Sequence, residues 1–291
     1  MLKKRIVGCI IVKNGIAVQS IDFKCYLPIG SVVVTAEFLN KWEIDEIILL
    51  DIEASAQGRS PDFSLVTAVS ERIFVPLTVG GGLATLDDMR RVIHSGADKI
   101  SINRAALDTP HIITDAARVF GKQCIVVSID AKQNKKGGYD AYVDSGATNT
   151  GLDVIDWAKE IEKRGAGEIF VNSIDRDGSK QGYDLELLKK ITNAVAIPVI
   201  ACGGAGHPNH FLDGFTEGNA SATAAANFFN FTEHSPIIVK AYVRDHGIDV
   251  RLDSHAVYEG IDFIADSGRI AKRPEAFLEQ RKFEYHSEEI I

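Results

Sequence analysis

Hydrophobic residues in this chain fall into short β-branched runs separated by longer amphipathic stretches. Eight runs stand out: RIVGCIIV, EIILLDI, VPLTVGG, DKISIN, CIVVSID, GEIFVNSI, IPVIACGG and ASATAAA. Runs of this length, rich in Val and Ile, predict buried strands. Between them, LDDMRRVIHSGA and GLDVIDWAKEIEKRGA carry apolar residues at helical spacing and end at Gly, a common helix stop. Strands that alternate with helices need crossover connections, so the strands run parallel and both sheet faces are covered. Eight such units predict an α/β fold closed as a (β/α)8 TIM barrel. A doubly wound open sheet is the alternative, but its Gly fingerprint is absent.

The pattern is also internally repeated. When the opening strand is laid over CIVVSIDAK, Ile6 meets Ile125, Val7 meets Val126, Ile10 meets Ile129 and Lys13 meets Lys132. DEIILLDIEASAQG aligns with GEIFVNSIDRDGSKQG, and VPLTVGGG with IPVIACGG. Two half-barrel repeats therefore make up residues 1–253. Within the repeat, Ile11 stands where the second half has Asp130. Beyond residue 253 the rhythm stops. A C-terminal extension, 254–291, carries Tyr258, Phe263, Phe277, Phe283 and Tyr285 among charges, with a helix expected from Pro274 to Lys282 and packing against its own barrel.

Composition narrows the function classes. With 45% hydrophobic and 25% charged residues, the chain can bury a large core as an ordinary soluble globule. A net charge of -8 and no basic cluster beyond KKR at residues 3–5 exclude a nucleic-acid footprint, and KKR reads as the solvated edge of the first strand. Cys9, Cys25, Cys124 and Cys202 show no CxxC spacing, so neither zinc nor disulfides are expected and a reducing, cytoplasmic setting fits. The apolar start breaks at Lys13 without a cleavage site, and no apolar stretch reaches membrane-spanning length, so neither a signal peptide nor a membrane partner is expected.

Barrel chemistry sits at the C-terminal ends of the strands, where the βα loops converge. The polar residues expected there are Asp51, Asn103, Asp130, Ser173 and Asp177, with glycine turns at 80–82 and 203–206. Glycine turns leading into helix N-termini present N–H groups to phosphate, and two such turns half a barrel apart suit a ligand with two phosphates. Asp130 reads as a general acid or base, or else as a helix cap or a partner for Lys132. His207 and His210 have metal-like spacing but no carboxylate company, so no metal is expected. Cys202 before two glycines reads as a small residue packed under a turn.

VPLTVGGG, GADKISIN, QCIVVSIDAK, DRDGSKQGYDLEL and IPVIACGGAG, in this order, closely resemble the cyclase subunit of imidazole glycerol phosphate synthase over residues 1–253. The resemblance implies a barrel that receives ammonia from a separate glutaminase subunit, passes it through the lumen and joins it to a ribulose-bearing nucleotide. It implies acid/base work by two aspartates, of which Asp130 is kept and the other is Ile11. Phosphate positions carried over are Gly82, Asn103, Gly178, Gly204 and Ala226, with Arg104 and Asn227 where the family has small hydroxyl residues. In the first loop, Ile16, Gln19 and Leu27 stand where the family is basic. Arg5, Glu46, Lys99 and Glu168 match a ring of charges that gates ammonia entry, and Asp98 matches a residue that meets the glutaminase. A self-satisfying plug is the alternative for the ring.

Two functions follow from this resemblance. In the first, the barrel docks a glutaminase and passes ammonia to an ATP-dependent sugar amidotransferase, as in homologues associated with amidination of N-acetyl sugars in bacterial surface polysaccharides such as the O-antigen. In the second, it is a true cyclase, a lyase of histidine biosynthesis, with Asp177 or Asp51 as surrogate acid. A plain phosphate-binding barrel is a third reading. A phosphorylated small molecule is the expected ligand, and no cofactor is required.

Overall fold

The computed structural model describes residues 3–230, 235–253, 262–265 and 270–280. Twelve strands form among them: β1 (Arg5–Lys13), β2 (Ile16–Ile21), β3 (Cys25–Gly30), β4 (Glu46–Asp51), β5 (Leu77–Gly80), β6 (Lys99–Ile102), β7 (Ile125–Gln133), β8 (Tyr139–Val143), β9 (Thr148–Asp153), β10 (Glu168–Ser173), β11 (Val199–Cys202) and β12 (Ala222–Ala225). The helices are α1 (Val32–Lys41), α2 (Phe63–Ser70), α3 (Leu86–His94), α4 (Arg104–Asp108), α5 (His111–Phe120), α6 (Val154–Arg164), α7 (Leu185–Ala194), α8 (Pro208–Thr216), α9 (Pro236–Asp245) and α10 (Glu275–Glu279). Parallel pairing runs β1–β4–β5–β6–β7–β10–β11–β12 and returns from β12 to β1, where Arg5 to Gly8 face Ala222 to Ala225. The eight anticipated strands thus close a (β/α)8 barrel.

Period-two alternation divides each strand between two cores. On β1, Val7, Cys9 and Ile11 pack in a cluster with Ile48, Val126 and Phe170 that fills the lumen, whereas Ile6, Ile10 and Val12 join the layer beneath the helices. Helix starts are fixed by side-chain caps, with Ser31, Asp62, Thr85, Asp153 and Asp184 each accepting from first-turn N–H groups.

The duplicated glycines have a steric cause. A Cβ on Gly81 would lie 2.0 Å from the Asp51 carbonyl, and one on its counterpart Gly203 would lie 2.8 Å from that of Ser173, the residue aligned with Asp51. Gly82 and Gly204 repeat the theme, with φ of +72 and +100° and would-be Cβ contacts of 2.4 and 2.1 Å to the Arg59 and Gly182 carbonyls. Close approach of backbone to backbone alone requires glycine at these positions.

Four strands differ from the expectation. β2 and β3 continue β1 as an antiparallel hairpin, and β8 and β9 do the same for β7, so matched hairpins rise from the matched strands of the two halves. Asn14-Gly15, both at positive φ, is the hairpin signal that marks the first. The KKR cluster also differs: Lys4 Nζ donates to the Ala220 carbonyl at 2.6 Å and Arg5 turns into the barrel, leaving Lys3 beside Asp249. In the extension, α10 is shorter than the helix expected from Pro274 to Lys282, while Tyr258, Phe283 and Tyr285 lie outside the described residues. Phe263 stacks 5.7 Å from the ring of His207 and 5.0 Å from that of Tyr242, seating this part of the extension on α8 and α9.

Gly204→Ala is expected to destabilise the barrel by roughly 2–4 kcal/mol, because positive φ and a backbone clash act together. Gly137→Ala, at φ +80° with nothing within 4 Å, is expected to lose about 1 kcal/mol. Urea unfolding of the two variants measures the difference.

Candidate functional site

At the N-terminal end of the barrel, the first residues of β1, β4, β6 and β10 project inward and form a closed cycle of charge. Arg5 reaches Glu46 and Glu168, each at 2.6 Å, and Lys99 reaches the same two carboxylates at 3.1 and 2.8 Å. Thr78 donates a further bond of 2.9 Å to Glu46, which is almost wholly buried. Each charge has two neighbours of opposite sign, which offsets the desolvation that a lone buried pair would suffer. Asp98 lies exposed at the same end, with one carboxylate oxygen accepting from the Leu77 N–H at 2.8 Å. Nearby, Phe74 is 94% exposed and its N–H is tied to Asn40 at the end of α1, close to the half-exposed Phe38 and its neighbour Trp42.

From this ring a polar stripe climbs one wall. Side chains two residues apart share a strand face, so Lys99, Ser101 and Asn103 succeed one another along β6 and its end, beside Ser128 and Asp130 on β7. It ends in a cavity of about 120 Å³ at the C-terminal mouth, lined by Ser101, Asn103, Ser128, Asp130 and Asn172, and by Ile11 across from them. Asn103 Nδ2 donates to Asp130 at 2.9 Å. Ser101 Oγ, Asn103 Oδ1 and Asn172 Oδ1 are buried with no partner among the described residues. Burial, chiefly, pushes the Asp130 carboxyl up to about 7; the Asn103 bond opposes the shift and the charge of Asp177 adds to it. Lys132 is not its partner, since its ammonium lies over the Tyr142 ring at 5.8 Å.

The expected surrogate acids are otherwise engaged. Asp51 is held by both guanidinium nitrogens of Arg59, at 2.7 and 2.9 Å, and by the N–H groups of Glu53 and Ala54. Asp177 accepts from Ser20 Oγ at 2.6 Å and from the Phe23 N–H at 3.0 Å, and it lines a separate cavity of about 60 Å³. Burial raises its pKa against those two bonds. Neither carboxylate fills the position left by Ile11, which is buried in apolar company.

The positions expected to bind phosphate separate into two groups lining different cavities. Gly82, Asn103 and Arg104 line the first cavity, while Gly178, Gly204 and Asn227 line the second, with Ala226 in the strand end beside it. Two of these side chains also have partners within the chain. Arg104 forms ion pairs with Asp108 at 3.0 Å and with Asp144, which lines the same cavity, at 2.5 Å. Asn227 spends its whole carboxamide on Ser20, accepting from its N–H at 3.1 Å and donating to its carbonyl at 2.6 Å. Both side chains brace loops, a role that spacing alone did not signal. In the first hairpin, Ile16 and Leu27 are exposed, so the positions expected to have lost basic character form an apolar surface. The spacing of His207 and His210 has a local cause: their Nδ1 atoms accept from Asn209 and Gly206 N–H groups at the start of α8. Cys202 is buried in the lumen cluster, as a residue packed beneath a turn.

Residues 5–234 match the family described as Histidine biosynthesis protein. The chain is 48% identical over 263 residues, 90% of its length and 96% of the relative's, to the protein of Vibrio vulnificus (strain YJ016) named "Putative imidazole glycerol phosphate synthase subunit hisF2". The chain belongs to this family, among the cyclase-subunit relatives. Within the chain's own repeat the Ile11 and Asp130 pair is the informative difference, because the two halves carry different chemistry at matching positions. No helix among the described residues is long and apolar enough to cross a membrane.

A carboxyl raised from 3.8 to about 7 binds its proton more tightly in the folded chain than in the unfolded one. Stability therefore falls as pH rises between these two values. Asp130→Asn keeps the bond from Asn103 and removes the charge, so it is expected to gain on the order of 2 kcal/mol at about pH 8 and nothing near pH 4. Urea unfolding at the two pH values tests this, and equal stability of variant and parent at both would refute it.

Proposed function

We propose that this barrel is the ammonia-conducting subunit of a glutamine-dependent amidotransferase complex, in which a partner enzyme rather than the barrel consumes the ammonia. The observation that carries the reading is Ile11, buried at the mouth across the cavity from Asp130, while the other carboxylates lining that cavity, Asp51 and Asp144, are paired with Arg59 and Arg104. An isoleucine exchanges no proton, and losing one positioned acid or base lowers a rate by about 10² to 10⁴. Members of the cyclase-subunit family pair with a glutaminase subunit. The intact charge ring, the exposed Asp98 and the apolar Phe38, Trp42 and Phe74 beside it support such docking at the N-terminal end. The polar stripe from Lys99 to Asn103 supports conduction, covering about 13 Å of lumen at strand rise.

The acceptor in this reading is an N-acetyl sugar whose acetamido group becomes acetamidino on an ATP-dependent sugar amidotransferase, as in the synthesis of surface polysaccharide. The setting is cytoplasmic, where glutamine and ATP are both at hand. Two separate cavities at the mouth, each lined by residues expected to bind phosphate, favour one further reading, a cyclase of histidine biosynthesis with residual activity from Asp130 alone.

Supplied with ammonium salt and the ribulose nucleotide, the purified chain is expected to turn over at least about 10²-fold more slowly than an ordinary cyclase subunit. With a glutaminase and the sugar amidotransferase added, amide ¹⁵N from glutamine is expected in the sugar. Ordinary cyclase turnover would overturn the proposal. For docking, Phe74→Ala and Asp98→Lys are each expected to weaken glutaminase binding about tenfold or more by calorimetry. Unchanged affinity in both would place the interface elsewhere.

A further inference from the structure

The cavity at the mouth has an unusual balance of hydrogen-bonding groups. Around Asp130 its polar lining presents three oxygens, Ser101 Oγ, Asn103 Oδ1 and Asn172 Oδ1, that are buried without a partner among the described residues, while the lining cation Arg104 is paired with Asp108 and Asp144. Ser101 is 3% and Asn172 8% exposed, so bulk water does not satisfy them. The one donor that reaches Asp130 is the neutral Asn103 amide. Cations near the mouth are committed elsewhere: Arg104 to Asp108 and Asp144, Arg59 to Asp51, and Lys13 to Glu53. The titratable neighbours that bear on Asp130 are Asp177 and Tyr26, and neither brings positive charge.

A buried acid among unpartnered oxygens, with each of these cations already paired to another carboxylate, suits a small ligand that donates several hydrogen bonds and carries positive charge. An anion is disfavoured at this point, and a space of about 120 Å³ holds only a few water-sized molecules. The stripe of Ser101 and Asn103 rising from Lys99 leads to this cavity from the ring.

We infer that the cavity formed by Asp130, Ser101, Asn103 and Asn172 is an ammonium station, where ammonia leaving the barrel is held before an acceptor enzyme takes it. This rests on the conduction reading above and gives Asp130 a task that needs no second aspartate. Ammonia arrives with its lone pair free and takes the proton of the Asp130 carboxyl. The N–H bond forms as the O–H bond breaks, leaving ammonium against carboxylate. The tetrahedral cation has four donors for the carboxylate and the neighbouring oxygens. On release the proton returns to Asp130 and nucleophilic ammonia departs, so the cycle balances with no further reactant. A carboxyl titrating near neutrality makes both directions accessible.

The test is a pH titration of the full-length protein carrying ¹³C-labelled aspartate carboxyls, with the Asp130 resonance assigned from Asp130→Asn. In about 100 mM ammonium chloride, the Asp130 midpoint is expected to fall by about one pH unit, a tenfold change, relative to tetramethylammonium chloride. Ser101→Ala and Asn172→Ala are expected to reduce that shift. An unmoved midpoint, or an equal shift in potassium or sodium chloride, would overturn the assignment. Nitrogen transfer from glutamine is measured separately on the assembled complex. If transfer proceeds while the midpoint does not move, the station is wrong and conduction stands. If the midpoint moves but no nitrogen is transferred, the station stands as a binding site and conduction falls.

Discussion

Closure of the sheet between β1 and β12 is the constraint on which everything else in this molecule depends. Pairing Arg5–Gly8 with Ala222–Ala225 bends eight parallel strands into a ring and brings their first residues within bonding distance across the lumen. Arg5, Glu46, Lys99 and Glu168 are then largely withdrawn from solvent and bond to each other. The same closure gathers the strand ends at the other mouth, where Ile11, Asn103, Asp130 and Asn172 come from distant parts of the chain to line one small cavity. An open sheet with the same strands would leave these groups on separate edges.

Duplication explains both the regularity of the barrel and the visibility of its departures. Gly81 and Gly203 are held to glycine by the same backbone approach, and the hairpins β2–β3 and β8–β9 rise from corresponding strands. Against that symmetry, hydrocarbon at position 11 and carboxylate at position 130 mark a mouth whose two sides differ in chemistry. The apolar side packs with Val7, Cys9 and Phe170, while the polar side keeps unsatisfied oxygens. Such oxygens are destabilising unless something binds them, so their retention favours a ligand over a purely structural role.

The strand runs and both long amphipathic helices were legible in the sequence because each follows from periodicity, whereas the charge ring, whose members lie 41 to 163 residues apart, was expected only from the family resemblance. The hairpins were not, since short exposed strands such as Cys25–Gly30 have no apolar alternation, and only Asn14-Gly15 announces one of them. Site residues were legible by type and not by partner. Asp51, Arg104 and Asn227 each had the right chemistry at the right strand end, yet Arg59, Asp144 and Ser20 claim them. Those partners are eight, forty and over two hundred residues away in sequence, and no local pattern encodes a contact that only the closed ring creates.

The grip of Asn227 on Ser20 has its own implication. It bonds the backbone of β2 at both its N–H and its carbonyl, and Asp177 anchors Ser20 Oγ and the turn at Phe23. The first hairpin is thereby stapled across the seam where the first and last strands meet, as a hasp fastens two ends of a hoop. A flap secured in this way does not swing over a guest and lift off again. It stands instead as a parapet braced at Ser20 and Phe23, with Leu27 and Ile29 exposed on its outer strand.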